Sequence, residues 1–249
     1  MKKILVTGAA GFIGSHLVEA LLNLDYCVIG IDNFSNGKHQ NIEYLTKLPT
    51  ANNFTFIEGD LRDVNFCEKV CTDIDVIYHQ AALGSVPRSI NEPQLYFDNN
   101  LGGMLNLMES ARKSNVKRFI FASSSSVYGD TAILPKIETM PLNPKSPYAV
   151  SKAAGEHYLS VYQSVYGLET IGFRYFNVFG PRQDPNSQYA AITTKKTKLL
   201  RFTPNTSNIF GSLIIPTENN TKEMLHPQNI ILINRCINFL TSSFFRLIQ

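Results

Sequence analysis

This sequence predicts a doubly wound α/β fold around a parallel sheet, and three observations carry that prediction. Short, nearly continuous apolar runs rich in β-branched residues recur up to about residue 190, as expected of strands buried on both faces. Longer stretches with helical spacing separate these runs, which implies βαβ crossovers. A glycine-rich turn joins the first run to the first helical stretch.

The elements follow in order. KILVTG (Lys3 to Gly8) is the first strand. Glycines break its apolar stretch early, so it reads as a buried strand entering a turn and not as a signal peptide. A helix is expected over Phe12 to Leu24, then a second strand, YCVIGID (Tyr26 to Asp32). FTFIEGD (Phe54 to Asp60) and DVIYHQAA (Asp75 to Ala82) are the third and fourth strands. The pattern from Pro93 to Asn115 predicts one long helix, and RFIFASS (Arg118 to Ser124) the fifth strand. A helix over Tyr148 to Tyr166 and a sixth strand, TIGFRYFNV (Thr170 to Val178), complete the set. From Thr193 the chain shows no clear period and is rich in Asn and Thr, so a boundary is expected near residue 191.

Composition narrows the function. With 249 residues and 44% apolar content, the chain can bury a full core. A net charge of +3, with no basic stripe beyond TTKKTK (Thr193 to Lys198), gives no reason to expect nucleic acid. Cys27, Cys67, Cys71 and Cys236 do not suggest a disulfide framework in a chain this long. Cys67 and Cys71 share a helical spacing, but no His or second Cys pair completes a metal site, so none is expected. No apolar run approaches the roughly 20 residues that span a membrane. A soluble, cytoplasmic protein is the expectation.

The glycine loop, TGAAGFIG, places Gly8, Gly11 and Gly14 between the first strand and the first helix. Glycines permit the tight turn and the close approach of a pyrophosphate, which the helix N-terminus then holds through its N–H groups and dipole. Asp32 ends the second strand. A carboxylate there accepts the ribose hydroxyls of adenosine and repels a 2′-phosphate, which favours NAD over NADP. Asp60 and Leu61 follow the third strand where an adenine contact is expected, although Asp60 could equally cap the next helix.

FASSSSVYGD sets Ser123, Ser124, Ser125 and Ser126 at the mouth of the sheet, where open α/β folds bind ligands. Further on, SPYAVSK places Tyr148 and Lys152 one helical turn apart. A tyrosine with a pKa near 10 is a poor base at neutral pH. An adjacent ammonium and a nicotinamide cation both favour the phenolate and lower that value. The serine hydroxyl can then hold a substrate oxygen while Tyr148 takes its proton.

Gly8-x-x-Gly11-x-x-Gly14, Ser124, Tyr148-x-x-x-Lys152 and RYFNVFGPRQDP (Arg174 to Pro185) together resemble the extended short-chain dehydrogenase/reductase family. Within it, ALGSVPRSI (Ala82 to Ile90) is similar to NAD-dependent nucleotide-sugar epimerases of the UDP-N-acetylglucosamine 4-epimerase kind. The likeness covers residues 1–191, a Rossmann-type NAD domain carrying the catalytic residues, and stops at Ile192. Residues 192–249 form an atypical tail where the family has its smaller substrate domain.

The resemblance implies that Ser124 and Tyr148 contact the sugar 4-hydroxyl, with Tyr148 as base, and that Lys152 binds the nicotinamide ribose. It implies an NAD site built from Gly8, Gly11, Phe12, Ile13, Gly14, Asp32, Asn33, Phe34, Asn36 and Gly37. Asp60, Leu61, Gln80, Ala81, Ala82, Asn99, Ser123, Tyr148, Lys152 and Tyr175 complete that site. Ser85, Arg88, Ser124, Ser125 and Ser126 would approach the sugar, and Asn177 the nucleotide phosphates. The implied reaction moves hydride from C4 to NAD, turns the 4-keto sugar over and returns hydride to the opposite face. A homodimer through the two long helices is also implied. A sugar 4,6-dehydratase is the alternative within the family. Dehydratases typically carry an acidic pair just after the serine or threonine, where this chain has Ser125 and Ser126. An NAD-binding fragment without catalysis is the alternative of another class.

Overall fold

The structure is a computed structural model and describes residues 1–176, 178 and 180–184. The boundary expected near residue 191, the tail and Asn177 lie outside the described residues. Among the described residues six strands form one sheet: β1 (Lys3–Thr7), β2 (Cys27–Asp32), β3 (Phe54–Glu58), β4 (Val76–His79), β5 (Arg118–Ser124) and β6 (Glu169–Tyr175). Every pairing is parallel, in the order β3-β2-β1-β4-β5-β6. This is the doubly wound order, with its reversal between β1 and β4.

Alternation along the strands builds two cores. In β1, Ile4 and Val6 face one layer while Leu5 faces the other. Phe119 and Phe121 of β5 likewise oppose Ile120. Successive side chains point to opposite faces, so strands apolar at every position must be covered on both sides. Helix α1 (Phe12–Leu22) covers the first face with Leu17, Val18, Leu21 and Leu22. The second face is covered by α3 (Val64–Val70), α6 (Gly103–Lys113) and α7 (Pro147–Tyr166).

Two helices were not expected from the sequence, α2 (His39–Thr46) and α4 (Val86–Asn91), and α3, the helix expected after the third strand, had no bounds assigned. Each buries too few side chains to print a period. These are Asn41 and Leu45 in α2, Cys67 and Val70 in α3, and Ser89 alone in α4. The single helix predicted over Pro93 to Asn115 is interrupted. A short α5 (Pro93–Tyr96) runs into a π-helical turn, Phe97–Gly102, before α6 begins. Gly103 opens α6 against the segment after β3, since a Cβ there would lie 3.1 Å from Leu61 Cβ.

Helix α7 is closely specified by its ends. Ser146 caps it, accepting from Ala149 N at 3.1 Å, and Pro147 takes the first position. Gly167, with φ 72°, ends it in the left-handed conformation. The N-terminal turn therefore holds Tyr148 at the same end of the sheet as Ser124. No helix among the described residues is long and apolar enough to cross a membrane.

Candidate functional site

A cleft opens at the carboxyl ends of β1, β2 and β4, at the reversal of strand order. Among the sequence-predicted cofactor residues, it is lined by Gly8, Gly11, Asp32, Asn33, Asn36, Gly37, Asp60, Leu61, Gln80, Ala81, Ala82 and Asn99. Two glycines of the loop beneath it have no substitute. Gly8 has φ +69°, and a Cβ on it would lie 2.9 Å from Ala81 N. A Cβ on Gly14 would lie 2.0 Å from Gly8 O, so the first turn of α1 lies directly on the loop. Gly11 caps α1 without a side chain, and no acid occupies the first turn. The first N–H groups of the helix are thereby left to a ligand. The side chains of Phe12 and Ile13 instead pack with Phe176 and Val178, so only their backbone can serve this role.

Asp32 sits in the cleft with Oδ2 accepting from Ala10 N at 3.0 Å and Oδ1 from Phe34 N at 2.8 Å. Burial pushes its carboxyl above the usual range, while the backbone N–H groups of Phe34, Ala10 and Asn33 pull it back. Each oxygen keeps a lone pair for a further donor. Phe34 turns away and stacks on His39, with ring centroids 3.8 Å apart.

Asp60 resolves its two readings. It receives Arg62 Nη2 at 2.7 Å and Asn33 Nδ2 at 2.9 Å, and the Arg62 contacts hold its carboxyl down at about 2. The cap of α3 is Asp63, accepting from Asn65 N and Phe66 N. Asp60 is a wall of the cleft.

The wall formed by β4 was read in part. Thr7 Oγ1 accepts from Ala81 N at 3.0 Å and shares a second hydrogen bond with His79 Nδ1 at 2.8 Å. His79 is buried, and desolvation holds it neutral, down at about 3. Next to it, both amide atoms of Gln80 are buried without a partner among the described residues. A buried orphan amide in a cleft calls for a ligand. Thr7, Ser35, Gly59 and Leu83 also line the cleft and were not foreseen. Thr7 carries the one usable signal, a hydroxyl at the last strand position before the loop.

The reactive residues meet beyond this cleft. Ser124 ends β5 and is 9% exposed. Its Oγ accepts from Ser126 N at 3.1 Å and from Ser126 Oγ at 2.9 Å. Ser125 and Ser126 open a 3-10 turn, Ser125–Tyr128. Lys152 is buried, with Nζ 2.7 Å from Ala122 O, 4.8 Å from the Phe121 ring centre and 6.0 Å from that of Tyr148. Desolvation lowers its ammonium to about 7. The Tyr148 ring meets Tyr96 edge to face at 6.3 Å. Tyr175 pairs in register with Ser124.

Three expected residues are placed less directly. Ser123 is buried, and its hydroxyl donates to Glu156 Oε1 at 2.5 Å. Ser85 caps α4, accepting from Arg88 N at 3.2 Å, while its own N–H donates to Tyr96 Oη. Arg88 pairs with Glu92 on the exposed face of α4. Among the described residues, no group of three or more His, Cys, Asp or Glu side chains could hold a metal ion.

Comparison with known proteins agrees with this geometry. The family described as "NAD dependent epimerase/dehydratase family" matches residues 4–210. A UDP-glucose 4-epimerase of Mycolicibacterium smegmatis is 38% identical over 211 residues, covering 84% of this chain and 66% of that protein. A UDP-N-acetylglucosamine 4-epimerase from Methanobrevibacter ruminantium M1, solved with UDP-N-acetylmuramic acid, is 47% identical with a TM-score of 0.71. That match covers 76% of this chain and 59% of the other. A dTDP-glucose 4,6-dehydratase from Streptomyces venezuelae, solved with NAD bound, is 34% identical with a TM-score of 0.71, covering 76% of this chain and 60% of its own. The chain therefore spans less than two thirds of the length of each of these relatives.

Proposed function

The chain belongs to the NAD dependent epimerase/dehydratase family, and from that premise we propose that it carries the machinery of a UDP-sugar 4-epimerase acting on UDP-N-acetylglucosamine and UDP-N-acetylgalactosamine. The observation that carries the reading is the buried Lys152 ammonium, held by Ala122 O beneath the Tyr148 ring at the end of β5.

The residues present fit NAD. Gly8 and Gly14 let the loop pack directly against Ala81 and the first turn of α1, that turn offers N–H groups, Asp32 offers carboxylate oxygens, and Gln80 offers an orphan amide. Bound there, NAD would supply the acceptor and donor of hydride at sugar C4. Tyr148 would take the proton of the 4-hydroxyl, its phenolate favoured by Lys152. Ser124 Oγ already accepts twice from Ser126, so its own proton is left to donate to the sugar oxygen. That donor is suited to the charge developing on the oxygen as C4 is oxidised.

Dehydration remains the second reading because a dehydratase is among the matched structures. It needs a further acid and base, and Ser125 and Ser126 supply no carboxylate after Ser124. A homodimer is proposed through α7, supported by exposed Val150, Val161, Val165 and Tyr166 along it. A cytoplasmic site is supported by the free thiols of Cys27, Cys67 and Cys71.

The test is incubation of the purified chain with UDP-N-acetylglucosamine, resolving the product sugars. An epimerase yields UDP-N-acetylgalactosamine, whereas a dehydratase yields a product lighter by one water. Tyr148→Phe should slow epimerisation by at least roughly a hundredfold, the scale of a lost general base, with NAD still bound. Near-normal turnover by Tyr148→Phe would assign the base elsewhere.

A further inference from the structure

Ser124 and Tyr148 must be held at one spacing, yet they sit on different elements. Tyr148, Lys152 and Glu156 share one face of α7, each a turn after the last. The side chains of Glu156 and Arg174 are only 16% and 17% exposed. Arg174 Nη2 donates to Glu156 Oε2 at 2.8 Å, and its Nε lies 3.0 Å from Oε1. Ser123 Oγ donates to the same Oε1 at 2.5 Å. Ser123 precedes Ser124 on β5, and its register partner on β6 is Arg174. One carboxylate on α7 thus receives donors from two adjacent strand ends.

The grip extends further. Arg174 Nη1 donates to Glu138 O at 3.0 Å, in the segment before α7. The guanidinium also lies 4.7 Å from the ring centre of Tyr128, in the turn that follows Ser124. A forked, charge-assisted pair fixes orientation as well as distance. We infer that Glu156 is a positioning residue: held by Arg174 and Ser123, it sets the roll of α7 on the strand ends and so aims Tyr148 and Lys152 at Ser124. Neither Glu156 nor Arg174 lines the cofactor cleft. The inference rests on the epimerase reading for its rate effect, but its geometric content can be read separately.

The experiment compares the unmodified chain with Glu156→Gln, each with and without Tyr148→Phe. Glutamine keeps the shape and removes the charge. Turnover should fall about tenfold to a hundredfold, the scale of a small misplacement of reacting groups. The KM for the sugar and the NAD affinity should stay within about twofold, as for an interaction that matters only in the transition state. In the Tyr148→Phe background the same change should cost nothing more. Equal losses in both backgrounds, or a parallel loss of NAD binding, would make Glu156 a general structural residue and overturn the inference. If Glu156→Gln does not fold, Arg174→Lys, which keeps the charge and loses the fork, takes its place.

A chain without turnover would sink the epimerase reading, not this one. The readout is then Tyr148 ionisation, taken as the tyrosinate absorbance of each protein minus that of its Tyr148→Phe counterpart. Loosening α7 withdraws the Lys152 amino group, whose N–H dipoles favour the phenolate whether it is charged or neutral, and should raise the midpoint. Deleting a nearby negative charge without movement should lower it. A fall or an unchanged midpoint overturns the inference.

Discussion

Lys152 is buried at a cost, and that cost has a sign that can be measured. Its ammonium is lowered to about 7 by desolvation, well below the roughly 10.4 of an exposed lysine. Between those values the unfolded chain binds the proton and the folded chain does not, so stability contributed at this site rises with pH. Below about 7 both states are charged, and the folded state bears the full penalty. Lys152→Met should therefore gain stability over the unmodified chain at pH 6, with the gain shrinking toward pH 10. Each tenfold change in proton affinity is worth about 1.4 kcal/mol, so the change in slope should be visible in denaturant unfolding. A gain independent of pH would mean that the folded lysine keeps its proton across this range, as the unfolded one does. Asp32 presents the opposite chemistry in the same site. Its oxygens hold the loop through Ala10 N and Phe34 N while facing the cleft. The chain should bind NAD more tightly than NADP, and Asp32→Ala should narrow the gap. Calorimetry showing NADP bound as tightly as NAD by the unmodified chain would remove this role from Asp32.

The loop joining β1 to α1 shows how far the site could be read at the level of elements. With a Cβ on Gly14 only 2.0 Å from Gly8 O, Gly14→Ala must push α1 off the loop. The expected loss is about 1–3 kcal/mol of stability, as for overpacking elsewhere, with at least tenfold weaker NAD binding. Unchanged denaturant midpoint and NAD affinity would contradict that contact. This loop was legible because the steric demand of a phosphate cradle is written in residue type and spacing. The strands were legible because each carries a short, mostly apolar run, continuous in the central strands β1, β4 and β5, as burial on both faces requires, and interrupted by polar residues in the edge strands β3 and β6. What was lost followed from weak or absent local signals. Helices α2, α3 and α4 bury one or two side chains each, and the π-helical turn Phe97–Gly102 breaks a period that otherwise runs on. The union of Glu156 with Ser123 and Arg174 joins residues distant in sequence. Only pairing of β5 with β6 brings them together, so no short window of sequence contains it.

Across the whole molecule, the cofactor and substrate sides of the site are unequally built. The glycine cradle, Asp32, Gln80 and Asn99 converge on one cleft at the reversal of strand order. The residues expected to meet the nucleotide sugar are scattered by comparison. Ser85 serves as a helix cap, Arg88 is engaged by Glu92 on an exposed face, and Asn177 lies outside the described residues. The relatives are also longer, since this chain spans 59% of the Methanobrevibacter ruminantium structure solved with a UDP-sugar. Among the described residues, Ser85 and Arg88 are thus already engaged within α4, and each 1.4 kcal/mol of binding they do not supply is tenfold in affinity. NAD should then bind well while UDP-N-acetylglucosamine binds with a Kd in the millimolar range or weaker. Both are measurable on one sample by calorimetry, with sedimentation reporting whether the α7 face pairs two copies. A low-micromolar Kd for the UDP-sugar would overturn this and assign completion of the substrate side to residues 192–249.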